Sequence, residues 1–451
     1  MPELVYGQAG EWEAGGMTYV DPVLIDHVRG DATGLMIPAH VEAFRAMGAD
    51  FLTTAFRAFG AIAPDNAVTN ICLLAPCPGG STGHKFYLTV DYARPQPGLH
   101  ADLFLKFSRD FTDARRDWQR TEMDSEARFV ALSRLPGFPI RVPTGYFADY
   151  EQATGTGIVI TERIPFGQAP IEPHRRKCLD HETMADPLPY YRTTVAALAR
   201  LAAAHKAGAL APDIDARFPW DAVAGSADPI RYSAAELDAE LDRCFAFADA
   251  APQLLPEALR SADFQTQMRR DAHRIREWED AIQRYLTGNA DMIALCHWNA
   301  HIDNLWFWRD EAGALHCGLI DWGRVGQISF GSALWGGLSA AHGVIWERHL
   351  PELLALFVEE YRSHGGPALT VKALEDHLTL HIAAMGVARC LAFPEIIQFR
   401  LPQCVNASGP LDPMFRDVDP ARNCLQIYTN LLTYWRQRDF GACLDRMLAR
   451  R

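Results

Sequence analysis

The apolar positions between residues 38 and 59 recur at spacings of three and four, which predicts an amphipathic helix near the start of the chain. A second helix is predicted at 112–133 by the same spacing. Short apolar runs, rich in β-branched and aromatic residues and bounded by turn residues, lie on both sides of this second helix. They predict five strands, at 68–74, 86–92, 103–107, 144–147 and 157–164. The predicted order is therefore three strands, a helix and two strands.

Beyond residue 164 the apolar spacing becomes helical, first at 190–207 and then through most of the remaining chain. The acidic run at 235–242 is interpreted as the solvated face of one of these helices. The change of pattern predicts two parts. Residues 1–163 form an N-terminal helical extension and a small strand-rich lobe, and residues 164–451 form a large helical lobe.

The large predicted lobe contains two polar motifs, each attached to an apolar run that is typical of a strand. The first reads His297-Trp-Asn-Ala-His-Ile-Asp-Asn304, and the second reads Ile320-Asp-Trp-Gly323. They resemble the kinase catalytic loop, His-x-Asp-x-x-x-x-Asn, and the Asp-Phe-Gly element that holds magnesium. The position of the catalytic Asp is occupied by Asn299.

A glycine-rich turn joins the first two predicted strands and includes Gly79, Gly80, Ser81 and Gly83. Exposed backbone N–H groups in such a turn can approach phosphate oxygens, although an ordinary hairpin turn is the alternative interpretation.

The third predicted strand carries a lysine, Lys106, directly after the apolar residues 103–105. An ammonium group among buried neighbours is costly unless it reaches a carboxylate or a phosphate. Glu126, on the following helix, is the preferred partner, and Glu122 is the alternative one turn earlier.

The order of these motifs resembles the aminoglycoside phosphotransferase and choline kinase superfamily, in particular its ecdysteroid-kinase-like branch. The resemblance extends from about residue 38 into the large lobe. Its further elements are the segments 79–83, 103–106, 126–129, 158–162 and 202–205.

The resemblance implies a two-lobed, protein-kinase-like α+β fold that binds ATP and Mg²⁺ between its lobes. The glycine-rich turn and Lys106, paired with Glu126, would hold the phosphates. The backbone around Glu162 and Arg163 would receive the adenine. Asn304 and Asp321 would be the metal ligands, because amide and carboxylate oxygens suit magnesium.

The catalytic residues implied by the resemblance are Asn299, next to the acceptor hydroxyl, and His297 in a structural role. A neutral amide cannot accept a proton, although it can orient the hydroxyl, and loss of general-base help costs about 10² to 10⁴ in rate. Asp303 and His301 are candidates for a displaced base. Three functions stay open: slow phosphotransfer to a small-molecule hydroxyl, a pseudokinase that binds nucleotide and acts through a partner, and transfer of AMP.

Two departures from the family pattern accompany Asn299. Trp298 replaces a small residue, and the segment 331–336 lacks the Asp that often follows the metal-binding turn, so the large lobe must anchor its catalytic loop differently. A zinc-protease interpretation of His297 and His301 fails, because Trp298 stands where that motif needs Glu.

Composition narrows the range of partners. The chain has 451 residues, 49% hydrophobic and 22% charged, which is typical of a globular enzyme. A net charge of -13 argues against binding to nucleic acid or to an anionic membrane. Ten scattered cysteines, no long apolar stretch and no leader-like N-terminus lead us to expect a cytoplasmic protein with reduced thiols.

Overall fold

In the computed structural model, the described residues are 25–78, 83–113, 116, 120–222 and 227–449. A short hairpin of β1 (His27–Arg29) and β2 (Met36–Pro38) precedes α1 (Val41–Ala58). The hairpin turn is held from far along the chain, because the Asp149 carboxylate accepts hydrogen bonds from the backbone N–H groups of Ala32 and Thr33 at 3.1 and 3.0 Å. The sequence pattern did not predict this hairpin.

A five-stranded antiparallel sheet forms the body of the small lobe, in the order β3-β4-β5-β7-β6. Its strands are β3 (Val68–Pro76), β4 (His84–Tyr92), β5 (Asp102–Phe107), β6 (Gly145–Glu151) and β7 (Thr156–Glu162). The helix between β5 and β6 is α2 (Arg120–Ser133). All five predicted strands are present.

Two helices cover opposite faces of this sheet, because successive strand residues point to opposite sides. Helix α1 packs on the face that carries Phe147 and Ile160. Helix α2 packs on the face that carries Ala148 and Val159. Lys106 is paired across the strands with Val159, so its side chain lies on the α2 side of the sheet.

The large lobe is mostly helical around one apolar core. Its helices are α3 (Asp180–Thr183), α4 (Leu188–Lys206), α5 (Ile214–Arg217), α6 (Ala234–Ala250), α7 (Ala262–Glu277), α8 (Glu279–Gly288), α9 (Phe330–Leu338), α10 (Leu350–Ser363), α11 (Val371–Ala388), α12 (Phe393–Arg400), α13 (Asp419–Gln437) and α14 (Phe440–Leu448). Short 3₁₀ turns and one π-helical turn, Ile345–His349, connect several of them.

Two short two-stranded antiparallel sheets present the polar motifs of the large lobe. Strand β8 (Ile293–Cys296) pairs with β11 (Gly326–Ser329), and β9 (Leu305–Arg309) pairs with β10 (Leu315–Leu319). The first motif therefore lies between β8 and β9, and the second follows β10. The α+β fold class predicted from the sequence is confirmed.

The acidic run of α6 is solvated only in part. Glu240 is 4% exposed between buried leucines, whereas Asp238 and Asp242 both bind Arg269 at 2.5 Å. Among the described helices none is long and apolar enough by itself to cross a membrane; α11 with the segment Cys390–Arg400 reaches that length only as a pair bent by 50°.

Candidate active site

The centre of the site is a buried ion pair between the two parts of the small lobe. Lys106 Nζ on β5 lies 2.5 Å from Glu126 Oε2 on α2, and the two residues are only 2% and 7% exposed. Burial lowers the pKa of Lys106, but the nearby carboxylates outweigh this effect and leave the pKa raised. The lysine is therefore a permanent cation at the cleft.

The same lysine joins the small lobe to the second polar motif of the large lobe. Lys106 Nζ lies 3.2 Å from Asp321 Oδ1. Burial alone raises the pKa of Asp321, but Lys106 and then Lys85 outweigh it and hold the pKa at about 2. Asp321 is thus an anion at any ordinary pH, and its φ of +60° places it in the left-handed region.

Three hydrogen bonds fasten the two motifs of the large lobe to each other. His297 Nε2 donates to Ile320 O at 3.0 Å, and Ile320 N donates to Asn304 O at 2.9 Å. The indole N–H of Trp298 donates to Gly323 O at 2.7 Å. Trp298, which departs from the family pattern, therefore binds the loop that carries Asp321.

His297 occupies a structural place in the catalytic loop. Its Nδ1 accepts the backbone N–H of Asn299 at 3.1 Å while Nε2 donates, which defines a neutral ring with its proton on Nε2. Burial lowers the pKa of His297, so the ring stays neutral. This placement agrees with the structural role expected from the sequence.

Asn304 and Asn299 contact each other within the loop. Asn304 Nδ2 donates to the backbone oxygen of Asn299 at 2.8 Å. The nitrogen of the Asn304 amide is therefore committed to the loop, and its Oδ1 remains as an acceptor. The Asn299 side chain is half-buried and forms no hydrogen bond to the described part of the chain.

Asp303 lies beside a lysine and a histidine of the segment that precedes α3. Its Oδ2 lies 3.7 Å from Lys177 Nζ, and its backbone oxygen accepts from His174 at 2.8 Å. Burial lowers the pKa of His301 well below its usual value, with Lys177 acting in the same direction. His301 is therefore neutral, and Asp303 is paired with a lysine.

Helix α9 packs closely against the backbone of the first polar motif. A Cβ built on Gly336 would overlap the backbone oxygen of Trp298, and one on Gly337 would lie 3.6 Å from Ala300 O. The helix can approach the loop backbone this closely only because residue 336 is glycine, whereas the contact at Gly337 is of ordinary length.

Of the predicted phosphate-binding residues, Gly79, Gly80 and Ser81 lie outside the described residues. Gly83 has a φ of +62°, and a Cβ there would overlap the backbone oxygen of Phe107. Glycine is therefore required where β4 begins beside the end of β5.

The two predicted adenine-binding amides already donate inside the protein. Glu162 N donates to Thr144 O at 2.8 Å, and Arg163 N donates to Asp102 O at 3.1 Å. The Arg163 guanidinium lies 3.9 Å above the ring of Tyr87. A purine at this edge would have to use other backbone groups or displace these bonds.

Sequence reasoning missed a second lysine in the cleft. Lys85 on β4 is the cross-strand partner of Lys106 and lies on the same face. Burial and Lys106 lower the pKa of Lys85, whereas Asp321 and Glu126 oppose the shift. The signal that identifies it is the strand register, which the sequence alone did not fix.

Glu122, the alternative partner considered for Lys106, lies one turn before Glu126. It is 7% exposed, and its Oε2 has no hydrogen-bond partner among the described residues. Burial raises the pKa of Glu122, and Arg324 opposes the shift.

No protein-family model and no curated protein matches the chain. Among solved structures it is similar to a choline/ethanolamine kinase family protein from Mesorhizobium loti, with 15% identity, 85% of this chain and 99% of that chain covered, and a TM-score of 0.32. A choline kinase from Cryptosporidium parvum shares 12% identity over 83% of this chain and 90% of its own, with a TM-score of 0.38. A spectinomycin phosphotransferase, solved with ADP and spectinomycin, shares 14% identity over 81% and 94%, with a TM-score of 0.37.

Likeness at this level does not establish an activity, a nucleotide or a substrate for this chain. The assignment of the fold rests on the chain's own geometry. A five-stranded sheet with a helix on the Lys106 face, a buried Lys106–Glu126 pair and an Asp321 turn that contacts this pair from the helical lobe make this a two-lobed, protein-kinase-like α+β fold.

Proposed function

We propose that the protein is an ATP- and Mg²⁺-dependent phosphotransferase that acts on a hydroxyl group of a small molecule. The observation that carries the proposal is Lys106, held between Glu126 of the small lobe and Asp321 of the large lobe at 2.5 and 3.2 Å. In kinases a lysine placed in this way holds the nucleotide phosphates, and the carboxylate of the turn holds magnesium.

The residues present fit a magnesium ion. Asp321 supplies an ionised carboxylate, since its pKa is about 2, and Asn304 supplies Oδ1 because its nitrogen is bound to the loop. One carboxylate and one amide oxygen leave room for water and phosphate oxygens, as magnesium requires. When bound, the ion would neutralise charge on the transferring phosphoryl group.

The phosphate-binding side of the cleft has two cations, Lys85 and Lys106. The positive charge of Lys106 is compensated by two carboxylates. Lys85 is less buried and lies on the same face of the sheet. We propose that Lys85 adds a second contact to the phosphates, beside the glycine-rich turn.

Asn299 would orient the acceptor hydroxyl and accept its hydrogen bond. Its backbone is fixed on both sides, by His297 and by Asn304, and its side-chain amide makes no bond within the described chain that an acceptor would have to displace. Phosphoryl transfer depends mainly on positioning and on charge neutralisation, and the hydroxyl proton can leave to solvent. The expected consequence is slow turnover, about 10² to 10⁴ below that of an enzyme with a general base.

A pseudokinase is the second candidate, because Asn299 has no basic substitute: Asp303 is paired with Lys177, and His301 is buried and neutral. Such a protein would bind nucleotide and act on a partner through its conformation. AMP transfer is the third candidate and uses the same nucleotide cleft.

Nucleotide binding is tested first by thermal stabilisation with ATP, with and without magnesium. At 100 times Kd, ATP contributes about 2.7 kcal/mol. Asp321→Ala should abolish the magnesium-dependent part, whereas Asp263→Ala, an exposed residue in the first turn of α7, should not. The absence of any stabilisation in the wild type would refute all three candidates.

Turnover is tested next with hydroxyl-compound mixtures and ATP labelled on either phosphate. Label transferred from the γ-phosphate by the wild type, and lost in Asp321→Ala, supports the phosphotransferase. A silent wild type with an active Asn299→Asp supports the pseudokinase. Label transferred from the α-phosphate identifies AMP transfer.

A further inference from the structure

A cavity of about 1060 Å³ lies between the small and the large lobe, apart from the candidate active site. Its walls are the segment 133–145 that follows α2, one side of α4, and the hairpin of β9 and β10. Lys106, Glu126, Asp321 and Asn299 do not line it. Its volume is that of a site for a small organic molecule.

The charged side chains in these walls are all basic. Arg134, Arg141, Arg200 and His316 line the cavity, and none of the described lining residues is Asp or Glu. Arg200 is paired with Glu360 at 2.7 Å, and His316 contacts Asp310 at 2.9 Å.

Arg134 and Arg141 have no carboxylate partner in the described part of the chain. Arg134 donates to the backbone oxygens of Gly145 and Gly60 at 2.5 and 2.6 Å. Arg141 is exposed, and its side chain makes no hydrogen bond or ion pair with a described residue. Arg141 is therefore the lining cation that is left for a ligand, in a protein whose net charge is -13.

Apolar side chains complete the walls between these cations. Phe138, Ile140, Leu315 and Trp308 line the cavity, and the Trp308 ring is stacked on His316 with centroids 5.5 Å apart. Such a surface complements a molecule with an aromatic or aliphatic body and one anionic group. The body would contact the apolar side chains, and the anionic group would contact an arginine.

Two walls of the cavity are continuous along the chain with elements that carry residues of the candidate active site. The segment 133–145 begins at the end of α2, the helix that carries Glu126. Strand β10 is followed by Asp321, and Leu319 N donates to Arg141 O at 3.0 Å. A molecule in the cavity touches both lobes and so favours one of their relative placements.

We propose that this cavity is a binding site for an amphipathic organic anion, a carboxylate, sulfonate or phosphate with an apolar body, separate from the nucleotide cleft. The proposal does not depend on the proposed phosphotransfer. Binding of such a molecule would favour one relative placement of the two lobes, which carry Glu126 and Asp321.

The test uses the fluorescent probe 8-anilinonaphthalene-1-sulfonate and its neutral analogue 1-anilinonaphthalene. The full chain should bind the sulfonate saturably, at one site that MgATP does not displace. Arg141→Glu should weaken this binding by at least about tenfold, because a charged hydrogen bond becomes a like-charge contact. Binding of the neutral analogue should change by less than about twofold.

Two further variants make the result decisive. Thr193→Glu places a negative charge on the α4 wall of the cavity and should weaken the sulfonate to a similar degree. Arg45→Glu, an equal charge change on an exposed position of α1, should leave it unchanged. Equal sulfonate affinity in all four proteins, equal losses for both probes, or displacement by MgATP would overturn the proposal. If MgATP fails to stabilise the protein at all, the phosphotransferase proposal fails while the probe titration stays interpretable.

Discussion

Replacing Lys106 with Met removes the cation that forms ion pairs with two carboxylates in the cleft. Lys106 is 2% exposed, and Glu126 and Asp321 lie 2.5 and 3.2 Å from its ammonium group. Breaking a buried pair on one side costs about 3 to 5 kcal/mol, because the remaining charge stays buried without compensation. Unfolding as one unit has an entropy of about 2.1 cal/mol/K per residue, so for a chain of 451 residues this loss lowers Tm by about 3 to 5 °C.

The destabilisation should also depend on pH, and its sign can be worked out. Burial raises the pKa of Glu126, and Lys106 opposes this, so removing Lys106 raises the pKa further above its ordinary value of 4.5. A carboxyl group with a raised folded pKa contributes stability below its unfolded pKa and loses it as pH rises through the folded value. Lys106→Met should therefore be closer to the wild type at pH 5 than at pH 8.

The measurement is thermal unfolding of wild type, Lys106→Met and Lys85→Met at both pH values. Lys85→Met is the matched control: it removes a neighbouring lysine that is less buried and whose pKa burial and Lys106 already lower, so it should cost less than about 1 kcal/mol. Equal stability of wild type and Lys106→Met at pH 8 would refute the assignment of a buried pair, and with it the observation that carries the proposed function.

Other predictions follow from the same contacts. Gly336→Ala should destabilise the protein by about 1 to 3 kcal/mol, because its Cβ would overlap Trp298 O, whereas Gly288→Ala in α8 has open space and should be neutral or stabilising; urea unfolding measures both. Trp298→Phe keeps an aromatic ring but loses the 2.7 Å bond to Gly323 O, so MgATP affinity should fall about 2- to 10-fold by calorimetry, and unchanged affinity would show that this bond does not position Asp321. His377 is fully buried, and burial lowers its pKa to about 4. Its contribution to stability is therefore present above pH 6.5 and is lost as pH falls, by about 2 kcal/mol between pH 7 and 5. His377→Leu should remove that part of the change in Tm.

Local patterns were sufficient to predict most of the fold. Short apolar runs bounded by turn residues predicted β3 to β7, and the spacing of three and four predicted α1 and α4. The Lys106–Glu126 pairing followed from the cost of a buried charge. The hairpin of β1 and β2 was missed because its strands have three residues each, too few to show a period, and its turn is held by Asp149 far along the chain.

Features that depend on distant contacts were beyond the reach of the sequence. Lys85 becomes a cleft residue only through its pairing with Lys106. The role of Gly336 depends on how closely α9 approaches the catalytic loop, and the direction of Asp303 depends on Lys177. Each is a matter of tertiary packing, for which local spacing has no signature.

The stacking of Trp322 on Phe129 limits how this molecule can open. The two rings are 3.7 Å apart at 16°, and they join the turn that carries Asp321 to the helix that carries Glu126. Outward movement of α2 would separate this aromatic stack and the buried Lys106–Glu126 ion pair at the same time. Because one movement would break both contacts, we expect α2 and the turn that carries Asp321 to move together as one unit.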